Sequence, residues 1–224
     1  MKTFLFTLIV LFACTLNSSV INAQNNPIAQ GRVELEPGSD HWVNDNFIQA
    51  KMLEAENKHF EAASKYVEAA NYESASQNPS WWCWERSLLL AGQIYYDNKQ
   101  DNGALQVWLP VMDYYYQMKS WDSYINIGEA VAMCYTNLNS YENAINVWWV
   151  LKKLVKTYTE ENDPNGLTSR GAAHKSIGLN FEYWEKYDSA AHYYQRSIEL
   201  NKRANNEEET TKVQECLDRV NKKL

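Results

Sequence analysis

Ile177-Gly178-Leu179-Asn180-Phe181, followed by Tyr187-Asp188-Ser189-Ala190 and Tyr194, decides how this chain is read. The first segment is an apolar helix with one small residue, Gly178. The second starts on an aromatic, places Ala190 three residues later and returns to an aromatic at Tyr194. Two helices that each carry one small residue on the facing side can pack closely.

The pattern recurs upstream. Helix-like segments Leu90-Ala91-Gly92-Gln93-Ile94-Tyr95 and Val131-Ala132-Met133-Cys134-Tyr135 precede Asp101-Asn102-Gly103-Ala104 … Trp108 … Val111 and Tyr141-Glu142-Asn143-Ala144 … Trp148 … Leu151. A fourth copy aligns on Phe60-Glu61-Ala62-Ala63 … Val67 … Ala70, with Lys51 where the small residue belongs. At these residues the chain resembles the tetratricopeptide repeat (TPR) family, whose units pair two antiparallel helices. The resemblance implies an all-α fold, an α-solenoid of about four TPR-like helix-turn-helix repeats, at about 44–77, 85–118, 125–158 and 171–204. Val213, Leu217, Val220 and Leu224 form an apolar stripe, so 207–224 reads as a capping helix with a polar outer face.

Ser80 and Ser120 are placed to cap the helices that follow them. Pro110 removes a backbone donor inside a helix and should bend it. Glu160-Glu161-Asn162-Asp163-Pro164-Asn165-Gly166 reads as a loop.

Upstream of the repeats, Lys2 followed by the apolar run Phe4–Leu16 and a small-residue end at Ala23 reads as a signal peptide over 1–23. Leu11-Phe12-Ala13-Cys14 offers the alternative of a lipid anchor at Cys14. Both readings export the protein, to the periplasm, the outer-membrane surface or the medium. Residues 24–43, with Pro27, Gly31, Pro37 and Gly38, read as a tether. No later stretch is apolar for the 18 residues that a transmembrane helix needs. Cys83, Cys134 and Cys216 lack metal or redox spacing and read as core residues.

The 224 residues carry 21 Lys plus Arg against 28 Asp plus Glu, a net charge of -7 that argues against a nucleic-acid binder. The chain lacks a phosphate loop, a His-Glu-x-x-His helix and a nucleophile elbow. His174 and His192 are placed to face each other, but no spacing marks a third metal ligand. The expectation is a non-enzyme without cofactor or metal.

What remains is binding. A solenoid's inner face is lined by the first helix of each pair, and the alignment puts Arg86, Gln93, Tyr96, Asp97, Asn126, Glu129, Met133, Asn137, Lys175, Leu179, Glu182 and Tyr183 there. Aromatic and Arg side chains concentrate binding energy at interfaces, so a protein or peptide partner in this groove is the leading expectation. Some members of the resembled family clamp a carboxylate-terminated peptide with basic and amide residues. The corresponding pairs here are Ile48/Met52, Leu89/Gln93, Glu129/Met133 and Lys175/Leu179, which do not carry that clamp. A glycan or small ligand stacking on an aromatic ledge of Trp81, Trp82, Trp84 and Trp121 is the alternative, against packing of those indoles on Tyr114, Tyr115 and Tyr116.

Overall fold

The structure, a computed structural model, describes residues 32–34 and 42–224. The segments read as signal peptide and lipobox lie outside these residues. Two three-residue strands, β1 (Arg32–Glu34) and β2 (Trp42–Asn44), pair antiparallel with Val33 opposite Val43. Part of the stretch expected to be a tether is therefore a β-ribbon, and β2 packs on the helices that follow.

Nine helices follow among the described residues: α1 (Asp45–Ala55), α2 (His59–Ala75), α3 (Trp81–Asp97), α4 (Asp101–Gln117), α5 (Trp121–Asn137), α6 (Tyr141–Tyr158), α7 (Pro164–Tyr183), α8 (Tyr187–Arg203) and α9 (Glu207–Asn221). Each packs chiefly on its neighbours in sequence, the one-dimensional arrangement of a solenoid. Pro110 lies on an exposed face of α4, which runs on through it.

The links explain the repeat. Asn57, Lys99, Lys119, Asn139, Glu185 and Asn205 all have φ between 55 and 61°, the left-handed conformation that reverses a helix C-terminus. The amide one residue further on reaches back to a carbonyl five residues earlier, as from Gln100 to Tyr95 and from Ser140 to Tyr135 at 2.8 Å each. Helices of 17 residues joined by three-residue links bring these reversals to residues 99, 119 and 139, in steps of 20. The longer step to residue 185 comes from one extra residue in α6, two in the next link and three in α7. Pro164, Asn165 and Gly166 belong to α7, not to a loop. Asp163 caps that helix by accepting a 2.6 Å bond from the Gly166 amide, and Pro164 supplies a first-turn φ without needing a donor.

These landmarks correct the register of the first pair by one residue. Counting from the left-handed residue, Ala50 matches Gly92, Ala132 and Gly178, and Ala62 matches Ala104, Ala144 and Ala190. Tyr66, not Val67, matches Trp108, Trp148 and Tyr194. Ala50, Ala62 and Tyr66 are fully buried, so the first repeat keeps the whole pattern. One hydrogen bond repeats at both ends of the array. The Tyr66 hydroxyl donates to Glu54 at 2.8 Å, and the Tyr194 hydroxyl donates to Glu182 at 2.6 Å.

The two capping serines behave differently. Ser80 accepts from the Cys83 amide at 3.3 Å, whereas Ser120 turns its hydroxyl to Ser123 at 3.1 Å and caps nothing with its side chain. Ser80 also belongs to a buried junction. Asn44 donates to Glu73 at 2.8 Å and to the Ala69 carbonyl at 3.0 Å; Glu73 accepts from the Ser80 amide at 2.7 Å. That chain of bonds ties the ribbon, α2 and α3 together. Cys83 and Cys134 are buried and Cys216 half-buried, all three as free thiols.

Candidate binding groove

The first helices of the pairs, α1, α3, α5 and α7, run along one face. Thr136 of α5 donates to Asn180 of α7 at 2.9 Å, and a cleft of about 350 Å³ opens between α1 and α3. Phe47 and Lys51 line the cleft from α1; Trp82, Glu85, Arg86, Leu89 and Leu90 line it from α3. The site thus pairs an apolar floor with two cations and one acid, Glu85, which accepts from the Tyr115 hydroxyl. Lys51 is held by Glu54 at 2.8 Å, while the exposed Arg86 makes no ion pair with a described residue. Phe47, Lys51, Trp82, Glu85 and Leu90 were not among the expected groove residues. With the corrected register, Phe47 and Lys51 take the positions first assigned to Ile48 and Met52. The sequence signal that gives this register is Tyr66 standing twelve residues after Glu54, as Tyr194 does after Glu182.

Of the expected groove residues, Arg86, Gln93, Asp97, Asn126, Glu129, Met133, Asn137 and Tyr183 are exposed, whereas Tyr96, Lys175, Leu179 and Glu182 are half-buried. Several are engaged within the fold. Gln93 donates to Asp97 at 2.8 Å, and Asn137 donates to Asp101 at 2.8 Å, stitching α5 to α4. Tyr96 leans on Trp108 with ring centroids 5.8 Å apart, and burial raises its hydroxyl pKa. Tyr183 meets Tyr141 at 6.2 Å.

Lys175 and Glu182 are taken by the capping helix. Lys175 pairs with Glu209 at 3.0 Å, and Glu182 receives Arg219 at 2.7 and 3.0 Å. Burial works to raise the Glu182 carboxyl, but the hydrogen bonds from Arg219 and Tyr194 outweigh it and leave the pKa below its ordinary value. The C-terminal end of the face is thereby closed. Glu129 is the opposite case. Its side chain is exposed and makes no hydrogen bond or ion pair with a described residue, yet the surrounding protein displaces enough water to raise its pKa.

The four indoles do not form one ledge. Trp82 turns to Phe47 at 6.1 Å in the α1–α3 cleft. Trp81 lies flat on Tyr114 at 6.0 Å, and Trp84 meets the same ring edge-on at 5.4 Å. Trp81 and Trp84 contact each other edge to face, not as a stack. Trp121 stacks on Tyr158 at 5.2 Å and touches Tyr116. His174 and His192 both lie against Tyr193, and no metal-binding group of three His, Cys, Asp or Glu occurs among the described residues. No helix among the described residues is long and apolar enough to cross a membrane.

No protein-family profile matches this chain, and no curated protein sequence does. Solved structures do resemble it. The apo form of RapI is similar over 80% of this chain and 47% of its own, at 16% identity and a TM-score of 0.61. A Rap protein complexed with Competence and Sporulation Factor is similar over 78% of this chain and 47% of its own, at 13% identity and a TM-score of 0.50. A putative kinesin light chain of Podosopora anserina with nearly identical TPR-like repeats is similar over 80% of this chain and 92% of its own, at 12% identity and a TM-score of 0.51. This chain spans about half the length of the two Rap proteins. At such identities the likeness speaks for the fold: the chain is an α-solenoid of TPR-like repeats.

Proposed function

We propose that this protein is a non-enzymatic interaction scaffold that docks a peptide or protein segment along the face of α1, α3, α5 and α7, in the cell envelope of an exporting cell. The observation that carries the reading is the α1–α3 cleft, where Phe47, Trp82, Leu89 and Leu90 sit beside Lys51 and an Arg86 that makes no ion pair with a described residue. An apolar pocket next to Arg86, a cation that no described carboxylate neutralises, suits a hydrophobic anchor side chain with a carboxylate close by. Further along, Glu129, which pairs with no described residue, and the exposed Met133 extend the surface, and the cap closes its far end. The Rap protein complexed with Competence and Sporulation Factor is a precedent for ligand binding on a similar fold. The envelope assignment rests on Lys2, the apolar run and Ala23 or Cys14 alone.

The groove is favoured over the tryptophan ledge because each of those indoles already has an aromatic partner within the fold. The test is crosslinking capture of the tagged protein in its native cells, with Arg86→Ala and Tyr183→Ala beside wild type. A protein recovered by wild type and lost with both variants supports the groove. The same proteins recovered by all three, or an indole fluorescence change that follows oligosaccharides instead, would reject it.

A further inference from the structure

The outer face of the third and fourth repeats carries a second feature that the groove does not use. The net charge of the chain is -7, yet α6 ends in Lys152, Lys153 and Lys156, and α8 contributes His192 and Arg196. Lys152 places its ammonium 3.2 Å from the centre of the exposed Trp149 ring. It makes no ion pair with a described carboxylate. Trp149 in turn meets Tyr193 of α8 at 6.0 Å, edge to face, which brings α6 and α8 together over α7.

Beneath them lies His174 of α7, stacked on Tyr193 at 5.7 Å. Counted from the left-handed link residue, His174 occupies the position of Leu88 and Gly128, which are core residues in the second and third repeats. An ionisable ring stands where those repeats have Leu and Gly, and its Nδ1 is buried without a hydrogen-bond partner among the described residues. Buried polar atoms left unpaired are uncommon and call for a reason. The charged groups close enough to His174 to act on it are Lys152, Arg196, His192 and Arg170, all basic. Arg170 is turned inward to the carbonyls of Gly166 and Glu161, and Arg196 shares its charge with Glu199 at 2.7 Å. Lys152 and Lys156 make no ion pair with a described carboxylate. Burial, helped by repulsion from Lys156, pulls the Lys152 ammonium down to about 8.

Two neighbouring ammonium groups, one of them partly desolvated and neither paired with a described carboxylate, are stabilised by an anion that enters between them. We propose that the patch formed by Trp149, Lys152, Lys156 and Arg196, above the His174 ring, is a binding site for a phosphate- or sulfate-type oxyanion, with the Trp149 indole as the wall beside the bound group. Two sources share this chemistry: a free or small-molecule phosphate, and the phosphodiester of an anionic lipid headgroup.

The purified protein carrying 5-fluorotryptophan is titrated with inorganic phosphate and with sulfate, in chloride buffer at constant ionic strength, and the Trp149 fluorine resonance is followed. Saturable shifts are expected. Lys152→Gln should weaken the affinity about tenfold, the effect of one charge-assisted contact, whereas Lys152→Arg and the distant Lys212→Ala should leave it near wild type. Flotation with phosphatidylglycerol against phosphatidylcholine vesicles then assigns the source. Binding to the anionic vesicles that is lost with Lys152→Gln places the oxyanion on a lipid, and no vesicle binding places it on a soluble ligand. A chloride control giving the same shift, an unsaturable response, or equal affinity in Lys152→Gln overturns the site. Thermal melts of Lys152→Gln and Lys152→Arg separate a lost contact from a lost fold.

Discussion

Gly92 lies directly under the indole of Trp108, so close that a Cβ at residue 92 would come 2.0 Å from the ring nitrogen. The ring is fixed there, because Nε1 donates to the Leu89 carbonyl at 3.3 Å and the residue is buried. The close approach of α3 and α4 therefore depends on glycine at 92, as that of α7 and α8 does on Gly178 against Tyr194. Gly92→Ala should destabilise the protein by about 1–3 kcal/mol, the usual cost of overpacking a filled core. A urea titration with an unchanged midpoint would show that the seam is looser than described.

The helix reversals store a removable cost. Lys99, Lys119 and Glu185 hold φ values of 55 to 61°, where a side chain costs about 1–2 kcal/mol relative to the right-handed region. Glycine removes that cost but adds unfolded-state entropy, of about 0.5–1 kcal/mol. Lys99→Gly and Lys119→Gly should each raise stability by about 0.5–1 kcal/mol, read as a higher melting temperature. A fall in either would mean that the lysine side chain contributes something the backbone does not reveal.

Much of the solenoid was legible because aromatic and small residues recur at fixed distance from each turn. Tyr187, Ala190 and Tyr194 define that spacing, and Ala104 with Trp108 and Ala144 with Trp148 repeat it. The first repeat was misread by one residue because Ala62-Ala63 and Tyr66-Val67 offer two nearly equal alignments. The left-handed Asn57 decides between them, and the twelve-residue step from Glu54 to Tyr66, matched by Glu182 and Tyr194, is the sequence signal that agrees with it. Outward positions on the first helices were legible in part, since Arg86, Gln93, Asn126 and Met133 are exposed whereas Tyr96, Lys175, Leu179 and Glu182 are half-buried. What those positions could not reveal was the cap's claim on Lys175 and Glu182, since Glu209 and Arg219 lie 34 and 37 residues further along. The cation patch escaped for the same reason, as it joins three helices.

Glu73 anchors the junction of ribbon and repeats. Glu73→Leu removes the acceptor of the part-buried Ser80 amide and one acceptor of the buried Asn44 amide group, which keeps its bond to the Ala69 carbonyl. The expected loss is about 1–3 kcal/mol for each donor left unsatisfied, with amides near residues 42–44 and 80 exchanging faster with deuterated water. Exchange unchanged at those positions would show that the junction is held by packing alone.

Acid should act in two windows. Burial, followed by repulsion from Lys152, Arg196, His192 and Arg170, lowers His174 from an ordinary 6.5 to about 4. Between those values the unfolded chain binds a proton that the folded one refuses, so stability falls as pH drops from 6.5 towards 4. His174→Leu, the residue of the second repeat at this position, should flatten that slope in chloride buffer. The Glu182 carboxylate is held below its ordinary 4.5, so its contribution is present above 4.5 and is lost only as pH falls through the lower folded value. Glu182→Gln should therefore reduce the difference in melting temperature between neutral pH and pH below 4. Melting curves of the three proteins from pH 7 to 3 check both signs, and parallel curves would refute them.

The central claim is that the partner lies along α1, α3, α5 and α7. A photo-crosslinking amino acid placed singly at Gln93, Asn126 and Met133 on that face, and at Gln106 and Leu109 on the exposed side of α4, tests it in the native cell. The account predicts one shared adduct from the three groove positions, absent from the two outer ones and abolished by Arg86→Ala. The same adduct from residues 106 and 109, with none from residues 93, 126 and 133, would contradict it.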